Sequence, residues 1–259
     1  MRTPIRRSIV PTLAVAALIL AACGASTPLG STEGSEEITF QSTDGVKLDG
    51  RLFGPDKGSA GIVMAHMFPS DQSAWYFFAN RLGEQGYRVL TFDFRGYCPG
   101  GDAGCSEGEK NIPAIWQDVE GAVEALRSRG ATRFALVGAS MGGTAALIVA
   151  SKEGKAIDVV ITLSAPLSFE GLDAGPEVLA QVSAAKLFIA GNSDVAAAEA
   201  VDALYGQSLQ PKRPVILTTG DHGTDILSGN QAGIVSTEMI NWLGRYLPIP
   251  VPVPAGGYG

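Results

Sequence analysis

The sequence predicts an α/β fold, a doubly wound and mostly parallel sheet of about eight strands with helices on both faces. Two observations predict it. Short apolar runs rich in β-branched residues recur along the chain, as expected of parallel strands that are buried on both faces. Amphipathic helical segments lie between these runs, which is the pattern of βαβ units with right-handed crossovers. The 259 residues, of which 46% are hydrophobic and 17% charged, suffice for one such domain with a large core.

Eight segments are expected to form the strands. The first two flank Asp44-Gly45, a dipeptide that is typical of a tight hairpin turn. The other six are largely apolar runs of six to eight residues, too short for buried helices. The predicted strands are residues 38–42, 46–53, 61–67, 87–94, 134–140, 158–165, 186–191 and 214–219.

Helices are expected at 113–129, 196–209 and 231–247, and in the small-residue segment after Ser140. The first of these carries apolar residues at spacings of three and four, which form one stripe on a helix. The stripe consists of Trp116, Val119, Val123 and Leu126. The helix at 231–247 is expected to end before Pro248.

The first 22 residues are expected to be a signal peptide. A positively charged start is followed by an apolar stretch, 9–22, that is too short to cross a ~30 Å hydrocarbon core. It ends in Leu20-Ala21-Ala22-Cys23, which resembles the lipobox of bacterial lipoproteins. That resemblance implies cleavage before Cys23 and attachment of lipid to this cysteine. An ordinary cleavage site next to a chance cysteine is the alternative.

The rest of the chain divides into a flexible linker at 23–35, one domain at 36–247 and a Pro- and Gly-rich tail at 248–259. Removing residues 1–22 takes three of the 19 basic residues, which leaves 16 against 26 acidic residues and a net charge of −10. This charge argues against nucleic acid or anionic lipid headgroups as partners. The lipobox-like sequence implies a location on the bacterial cell envelope. Because the charge disfavours anionic headgroups, we expect membrane contact only through the N-terminal lipid. The expected partner is a small-molecule substrate. The oligomeric state stays open.

The motif Gly138-Ala139-Ser140-Met141-Gly142 is the clearest sign of chemistry. It follows a predicted strand directly and opens the small-residue helix, and in that context it predicts a nucleophile elbow. Such a turn exposes the Ser140 hydroxyl at the carboxyl edge of the sheet, where open α/β sheets bind ligands. The helix N-terminus adds partial positive charge for a developing oxyanion. Ser140 is therefore the predicted nucleophile.

Segments after other strands complete a resemblance to a known family. Residues 38–247 resemble the α/β-hydrolase superfamily, especially its compact esterases and dienelactone-hydrolase-like members. The chain departs from these in carrying Ser140 where dienelactone hydrolases have cysteine, and Met67 where glycine is common. The matching segments are Ala65-His66-Met67, Asp93-Phe94-Arg95-Gly96, the elbow, Gly191-Asn192-Ser193-Asp194 and Gly220-Asp221-His222-Gly223.

The resemblance implies a triad of Ser140, Asp194 and His222. The sequence shows no metal-ligand cluster, Gly-rich phosphate loop or nucleotide-binding motif, so no cofactor or metal is expected. His222 is one of only two histidines, and imidazole is the side chain that suits a base for a hydroxyl near neutral pH. Asp194 stands where the family places the acid that orients the histidine. Asp221 and Asp225 are the alternatives for that acid.

The oxyanion hole is expected to use the backbone N–H of Met141 and a second from the loop after the third strand. Met67 is the expected second donor, with Phe68 as the alternative. The resemblance implies that His66 shapes this loop and does not take the proton. Trp75 and Tyr76 have two interpretations, as a wall of the pocket or as part of a helix core.

Cys98 and Cys105 are expected to form a disulfide. They lie in a Gly-rich excursion after the fourth strand that has little apolar content to order it. The lipoprotein signal places the domain in an oxidising compartment, where such a bridge persists. Two free thiols are the alternative, and thiol titration of the unfolded, unreduced protein distinguishes the two.

These observations predict a serine hydrolase that cleaves small carboxylic esters through an acyl-enzyme. A peptidase or thioesterase on the same triad is one alternative, and a non-catalytic binding lipoprotein is another, because fold does not imply function.

Only residues 167–185 separate the sixth and seventh strands, which leaves room for one short helix near 177–182 and no large lid. The cleft is expected to be open, with residues 68–76 and 98–105 as its walls.

Overall fold

The computed structural model describes residues 32–97 and 105–249. Each predicted strand overlaps one strand of the structure, although several predictions extend past its end, and a further strand pair appears between the sixth and seventh predicted strands. The strands are β1 (Glu36–Gln41), β2 (Lys47–Phe53), β3 (Ala60–Ala65), β4 (Arg88–Phe92), β5 (Arg133–Ala139), β6 (Ile157–Leu163), β7 (Ser168–Phe169), β8 (Leu172–Asp173), β9 (Ala185–Gly191) and β10 (Lys212–Leu217).

Eight of these strands form one sheet in the order β1-β2-β4-β3-β5-β6-β9-β10. β2 pairs antiparallel with both β1 and β4, and all other neighbours in this sheet are parallel. Every residue of β3, β4 and β9 is buried, which explains their unbroken apolar sequences. The predicted fold class is confirmed.

Helices cover both faces of the sheet. They are α1 (Tyr76–Glu84), α2 (Ile115–Ser128), α3 (Met141–Glu153), α4 (Pro176–Leu179), α5 (Val195–Gln207) and α6 (Ala232–Tyr246). One buried apolar cluster joins the sheet to α2, α3 and α5, and a second joins it to α1 and α6. Within the described residues, no helix combines the length and the apolar character needed to span a membrane.

The structure decides between the two interpretations of Trp75 and Tyr76. Trp75 is completely buried and Tyr76 nearly so, and both belong to the apolar cluster beneath α1. The expectation that residues 68–76 form a wall of the cleft is therefore wrong for these two side chains. Phe68 differs from them, because half of its surface is exposed.

The segment between β6 and β9 is small, and it contains more than the single short helix expected there. α4 has only four residues, and β7 and β8 form a separate two-stranded ribbon in front of it. Gly171 at the ribbon tip has φ +91°, and a Cβ there would lie 2.8 Å from the Pro113 Cγ atom. The ribbon therefore packs closely on the turn that precedes α2.

A buried ion-pair network fixes the loop after β4. The Arg95 guanidinium donates to Asp118 at 2.6 and 2.9 Å and to Asp44 at 2.7 and 2.8 Å. Hydrogen bonds from Arg95 lower the pKa of Asp44 to about 2. The hairpin turn, the loop after β4 and helix α2 are thereby joined through one side chain.

Candidate active site

Ser140 lies at a sharp turn between β5 and α3. Its φ of 47° is in the left-handed region, which a serine rarely adopts, and such strain is common at functional sites. Its N–H donates to the Leu163 carbonyl at 2.8 Å, and its carbonyl accepts the first bonds of α3. The elbow thus presents the partly exposed side chain of Ser140 at the carboxyl edge of the sheet.

The glycines of the elbow motif allow main chains to touch. A Cβ on Gly138 would lie 2.3 Å from the Gly142 carbonyl oxygen, and a Cβ on Gly142 would lie 2.5 Å from that of Ala65. Both distances are far below van der Waals contact, so only glycine fits at either position. β3, β5 and α3 therefore meet directly around Ser140.

His222 and Asp194 come together at the same edge. Asp194 directly precedes α5, and His222 follows β10. The His222 Nδ1 atom lies 2.6 Å from the Asp194 Oδ2 atom, with 42% and 16% of the two side chains exposed. The Asp221 carboxylate instead accepts a hydrogen bond from the Thr219 hydroxyl at 2.7 Å. Within the described residues, neither Asp221 nor Asp225 bonds to the His222 ring.

The residue after His222 packs against the elbow. Gly223 has φ +56°, and a Cβ there would lie 2.5 Å from the Met67 Sδ atom and 3.4 Å from the Ala139 Cβ atom. The loop that carries His222 therefore touches both the residue before Ser140 and the loop after β3. The Ser140 hydroxyl donates to no described residue, and catalytic hydrogen bonds are often made only when substrate is bound.

Two backbone N–H groups at the site have no hydrogen-bond acceptor among the described residues. They belong to Met141, the first residue of α3, and to Met67 in the loop after β3. A free N–H is usual in the first turn of a helix. Met67 is nearly buried, and its carbonyl accepts from the N–H of Ser70 at 2.9 Å.

His66 is completely buried and holds the loop after β3. Its Nε2 atom accepts a hydrogen bond from the Phe94 N–H at 3.1 Å, so the ring proton is on Nδ1, which donates to the Met67 carbonyl at 2.9 Å. Burial lowers the pKa of His66 to about 4. The ring is neutral at pH 7, and both of its nitrogen atoms bond to main chain.

The other end of this loop is held by Asp93, a buried carboxylate after β4. It accepts from the backbone N–H of Gln72 at 2.9 Å and from the Gln72 side-chain amide at 2.6 Å. The Gln72 amide oxygen accepts in turn from the Thr91 hydroxyl at 3.1 Å. In the sequence, Asp93 stood out only within a segment that resembles the family, and Gln72 was missed, because no local pattern marks a contact across 21 residues.

His66 and Asp93 predict two opposing effects of pH on stability. Since the folded pKa of His66 lies below its ordinary 6.5, the unfolded chain binds the extra proton, and the free energy of unfolding falls as pH drops from 6.5 to about 4. Burial raises the pKa of Asp93 from 3.8 to about 6, so the folded chain binds the extra proton. Its contribution to the free energy of unfolding therefore rises as pH drops from about 6 to 3.8.

Asp93→Asn is expected to reveal the contribution of His66. Between about pH 7.5 and about pH 5, the free energy of unfolding should fall by about 1 kcal/mol more in the variant than in the unmodified protein. Asparagine can keep both hydrogen bonds if the Gln72 amide turns over. Urea unfolding at the two pH values measures the difference, and equal losses in the two proteins would contradict the assignment.

Three sequence predictions concern residues outside the described part of the chain. Cys23 and Cys98 both lie there, so lipid attachment to Cys23 and the disulfide between Cys98 and Cys105 stay predictions, as does the loose tail at 250–259.

Within residues 32–97 and 105–249, no three His, Cys, Asp or Glu side chains cluster as metal ligands would.

Comparison with known proteins gives matches over most of the chain. Residues 62–252 match the alpha/beta hydrolase family. Among curated proteins, the uncharacterized protein YfhR of Escherichia coli O157:H7 is 26% identical over 235 residues, covering 81% of this chain and 80% of YfhR.

Solved structures match at lower sequence identity. An esterase of Pyrococcus furiosus has a TM-score of 0.67 at 18% identity, covering 82% of this chain and 91% of its own. A dienelactone hydrolase from Anabaena variabilis has a TM-score of 0.67 at 20% identity, covering 82% and 99%. At these identities the likeness establishes the fold.

Proposed function

This chain belongs to the alpha/beta hydrolase family, and we propose that it is a serine hydrolase that cleaves small carboxylic esters through an acyl-enzyme on Ser140. The observation that carries the proposal is the 2.6 Å distance between the Nδ1 atom of His222 and the Oδ2 atom of Asp194. The loop that carries His222 also packs against the strained elbow. A nucleophile, a base and an orienting acid at one sheet edge are the parts that acyl transfer requires.

In the proposed mechanism, His222 takes the Ser140 proton on Nε2 while the serine oxygen bonds to the substrate carbonyl carbon. The negative charge on the carbonyl oxygen is stabilised by the free N–H groups of Met141 and Met67. Asp194 keeps the proton of the imidazole on Nδ1 and stabilises the imidazolium. When the ester bond breaks, His222 returns the proton to the leaving alcohol, and water then repeats the sequence to release the acid.

General base catalysis and oxyanion donors each typically contribute on the order of 100-fold or more to the rate. The proposed oxyanion loop is held at both ends, by His66 on one side and by Asp93 on the other. Preorganised donors of this kind act on the transition state without a cost for rearrangement. The rigid clamping of the loop therefore supports a role of the Met67 amide in catalysis.

The small size of the segment between β6 and β9 leads us to expect an open cleft and a preference for short acyl chains. This segment supplies only α4 and a ribbon of two strands of two residues each, so little apolar surface is available to cover a long chain. Each CH₂ left unburied forgoes ~0.8 kcal/mol of binding. A panel of p-nitrophenyl esters from acetate to palmitate, with Ser140→Ala beside it, tests the proposed function and this preference together. Faster turnover of palmitate than of butyrate would refute the open cleft.

A second candidate function is binding without catalysis. The observation that favours it is the absence of a hydrogen bond from the Ser140 hydroxyl to any described residue, His222 included. Reaction with a fluorophosphonate separates the two candidates, because only an activated serine is labelled at an appreciable rate. Hydrolysis of amides or thioesters on the same triad is measured in the same panel with aminoacyl and acyl-thioester substrates.

We further propose that the mature protein begins at a lipidated Cys23 and is anchored by this lipid in the bacterial cell envelope, outside the cytoplasm. The support is the sequence Leu20-Ala21-Ala22-Cys23 after an apolar stretch with a basic start. Mass measurement of the mature N-terminus tests the proposal. An unmodified N-terminus elsewhere in the chain would refute it.

A further inference from the structure

Tyr97, in the loop after β4, has a buried hydroxyl without a partner. Only 4% of the residue is exposed, and its ring lies 4.7 Å from the His66 ring. The hydroxyl forms no hydrogen bond with any described residue. Burial raises the pKa of Tyr97 to about 12, so the group keeps its proton at neutral pH. A buried donor without an acceptor is costly and rare in native proteins, and a ligand can supply the acceptor.

Lys110 brings a positive charge to the same place. Its ammonium lies 4.2 Å from the centre of the Tyr97 ring and 6.0 Å from that of Phe68. The backbone of Lys110 packs against Gly96, the residue before Tyr97, since a Cβ on Gly96 would lie 2.4 Å from the backbone nitrogen of Lys110. Within the described residues, Lys110 forms no ion pair, whereas the neighbouring Glu107 pairs with Lys47.

These side chains border the proposed oxyanion loop. Phe68 directly follows Met67, and His66, which touches Tyr97, donates to the Met67 carbonyl. Glu170, at the tip of the ribbon, is the acidic group whose charge acts on Tyr97. Because Glu170 would repel an anion, a negatively charged group is expected to approach Lys110 from the side of Phe68.

We propose that Lys110 and Tyr97 form a subsite for a carboxylate on the substrate, so that this site prefers esters of dicarboxylic or hydroxycarboxylic acids to neutral esters. The ammonium supplies the charge, and the half-exposed ring of Phe68 contacts the carbon chain between carboxylate and ester. The tyrosine hydroxyl is covered in the unbound protein, so it donates to the carboxylate only after the side chains that cover it have moved. The proposal rests on the proposed function and names the class of substrate. Lys110 and Tyr97 determine specificity and take no part in bond breaking.

The kinetic test compares three esters of similar size. Ethyl butyrate is neutral, monoethyl succinate carries a carboxylate on the acyl side, and O-butyrylglycolate carries one on the alcohol side. Acid release gives kcat/KM for each, and the ratio of anionic to neutral ester is the readout. The ester with the higher ratio identifies the side on which the carboxylate is bound.

Lys110→Gln is expected to lower this ratio about tenfold, and Tyr97→Phe about fivefold. Lys110→Arg should restore most of the loss, because it restores the charge. Raising the salt concentration should weaken the preference for the anionic ester in the unmodified protein and not in Lys110→Gln. The matched control is Lys152→Gln, since the Lys152 ammonium also lies over an aromatic ring, 4.1 Å from that of Trp116 on the outer surface of the helices. It should leave the ratio unchanged.

An equilibrium measurement separates failure of this proposal from failure of the proposed function. Calorimetric titration of Ser140→Ala with monoethyl succinate and with ethyl butyrate reports binding without turnover. The succinate ester should bind more tightly, and adding Lys110→Gln should remove the difference. Equal binding of the two esters, or equal ratios in Lys110→Gln and in the unmodified protein, would overturn the subsite. Loss of turnover for every ester together with selective binding would instead refute the catalytic proposal alone.

Discussion

Ser140→Ala is expected to abolish labelling by a fluorophosphonate probe and to lower kcat on short esters by about 10⁴-fold or more. The alanine removes the only atom that can form the acyl-enzyme, while the oxyanion donors and the binding surface remain. Rates from acid release and labelling followed by mass spectrometry measure the two effects. KM should change little, because the hydroxyl contributes to the transition state more than to the bound substrate.

Ser151→Ala is the matched control for this change. Ser151 lies on the same helix as the elbow, and its hydroxyl donates to the Ile148 carbonyl at 2.7 Å. Both labelling and kcat should survive its replacement. If labelling persists in Ser140→Ala, another residue is the nucleophile, and the proposed function falls with it.

Asp194→Asn is expected to lower kcat by about 10³- to 10⁴-fold. The asparagine amide can turn its N–H toward Nδ1 of His222, which favours the tautomer that carries the proton on Nε2. In that tautomer the imidazole cannot accept the Ser140 proton. The fold and the affinity for substrate should be retained, so the loss should appear in kcat and not in KM. Steady-state kinetics measures kcat and KM, and a thermal unfolding curve reports whether the fold is retained.

Asp221→Asn provides the matched comparison, because Asp221 adjoins His222 in sequence and bonds to the Thr219 hydroxyl. Its kcat should stay within a few-fold of the unmodified protein. The reverse outcome, with a large loss in Asp221→Asn and a small one in Asp194→Asn, would assign the acid to Asp221.

The parts of the fold that are predictable from sequence are those with a local pattern. The strand predicted at 186–191 lies in β9, and the one at 134–140 ends at the elbow, because buried parallel strands are marked by unbroken apolar runs. The elbow is likewise marked by glycines at fixed spacing around Ser140. The contact of His222 with Asp194 was expected only from the family resemblance, because 28 residues separate the two.

Other features depend on contacts that no local pattern encodes. The role of Trp75 and Tyr76 was open because aromatic side chains suit both a cleft wall and a helix core, and packing against the sheet decides between them. The ribbon of β7 and β8 is too short to have a periodicity. The bonds of Asp93 with Gln72 and the position of Lys110 over Tyr97 join residues whose proximity follows only from the folded chain.

The close main-chain contacts at Gly138 and Gly142 bear on how this protein can evolve. Ser140 is positioned where backbones touch, so its location is largely independent of which apolar side chains fill the layers on either side of the sheet. Core substitutions of similar volume, for example at Leu147 or Val149, can raise or lower the melting temperature without moving the serine. Adaptation to temperature and adaptation to a new ester can therefore proceed through separate sets of residues.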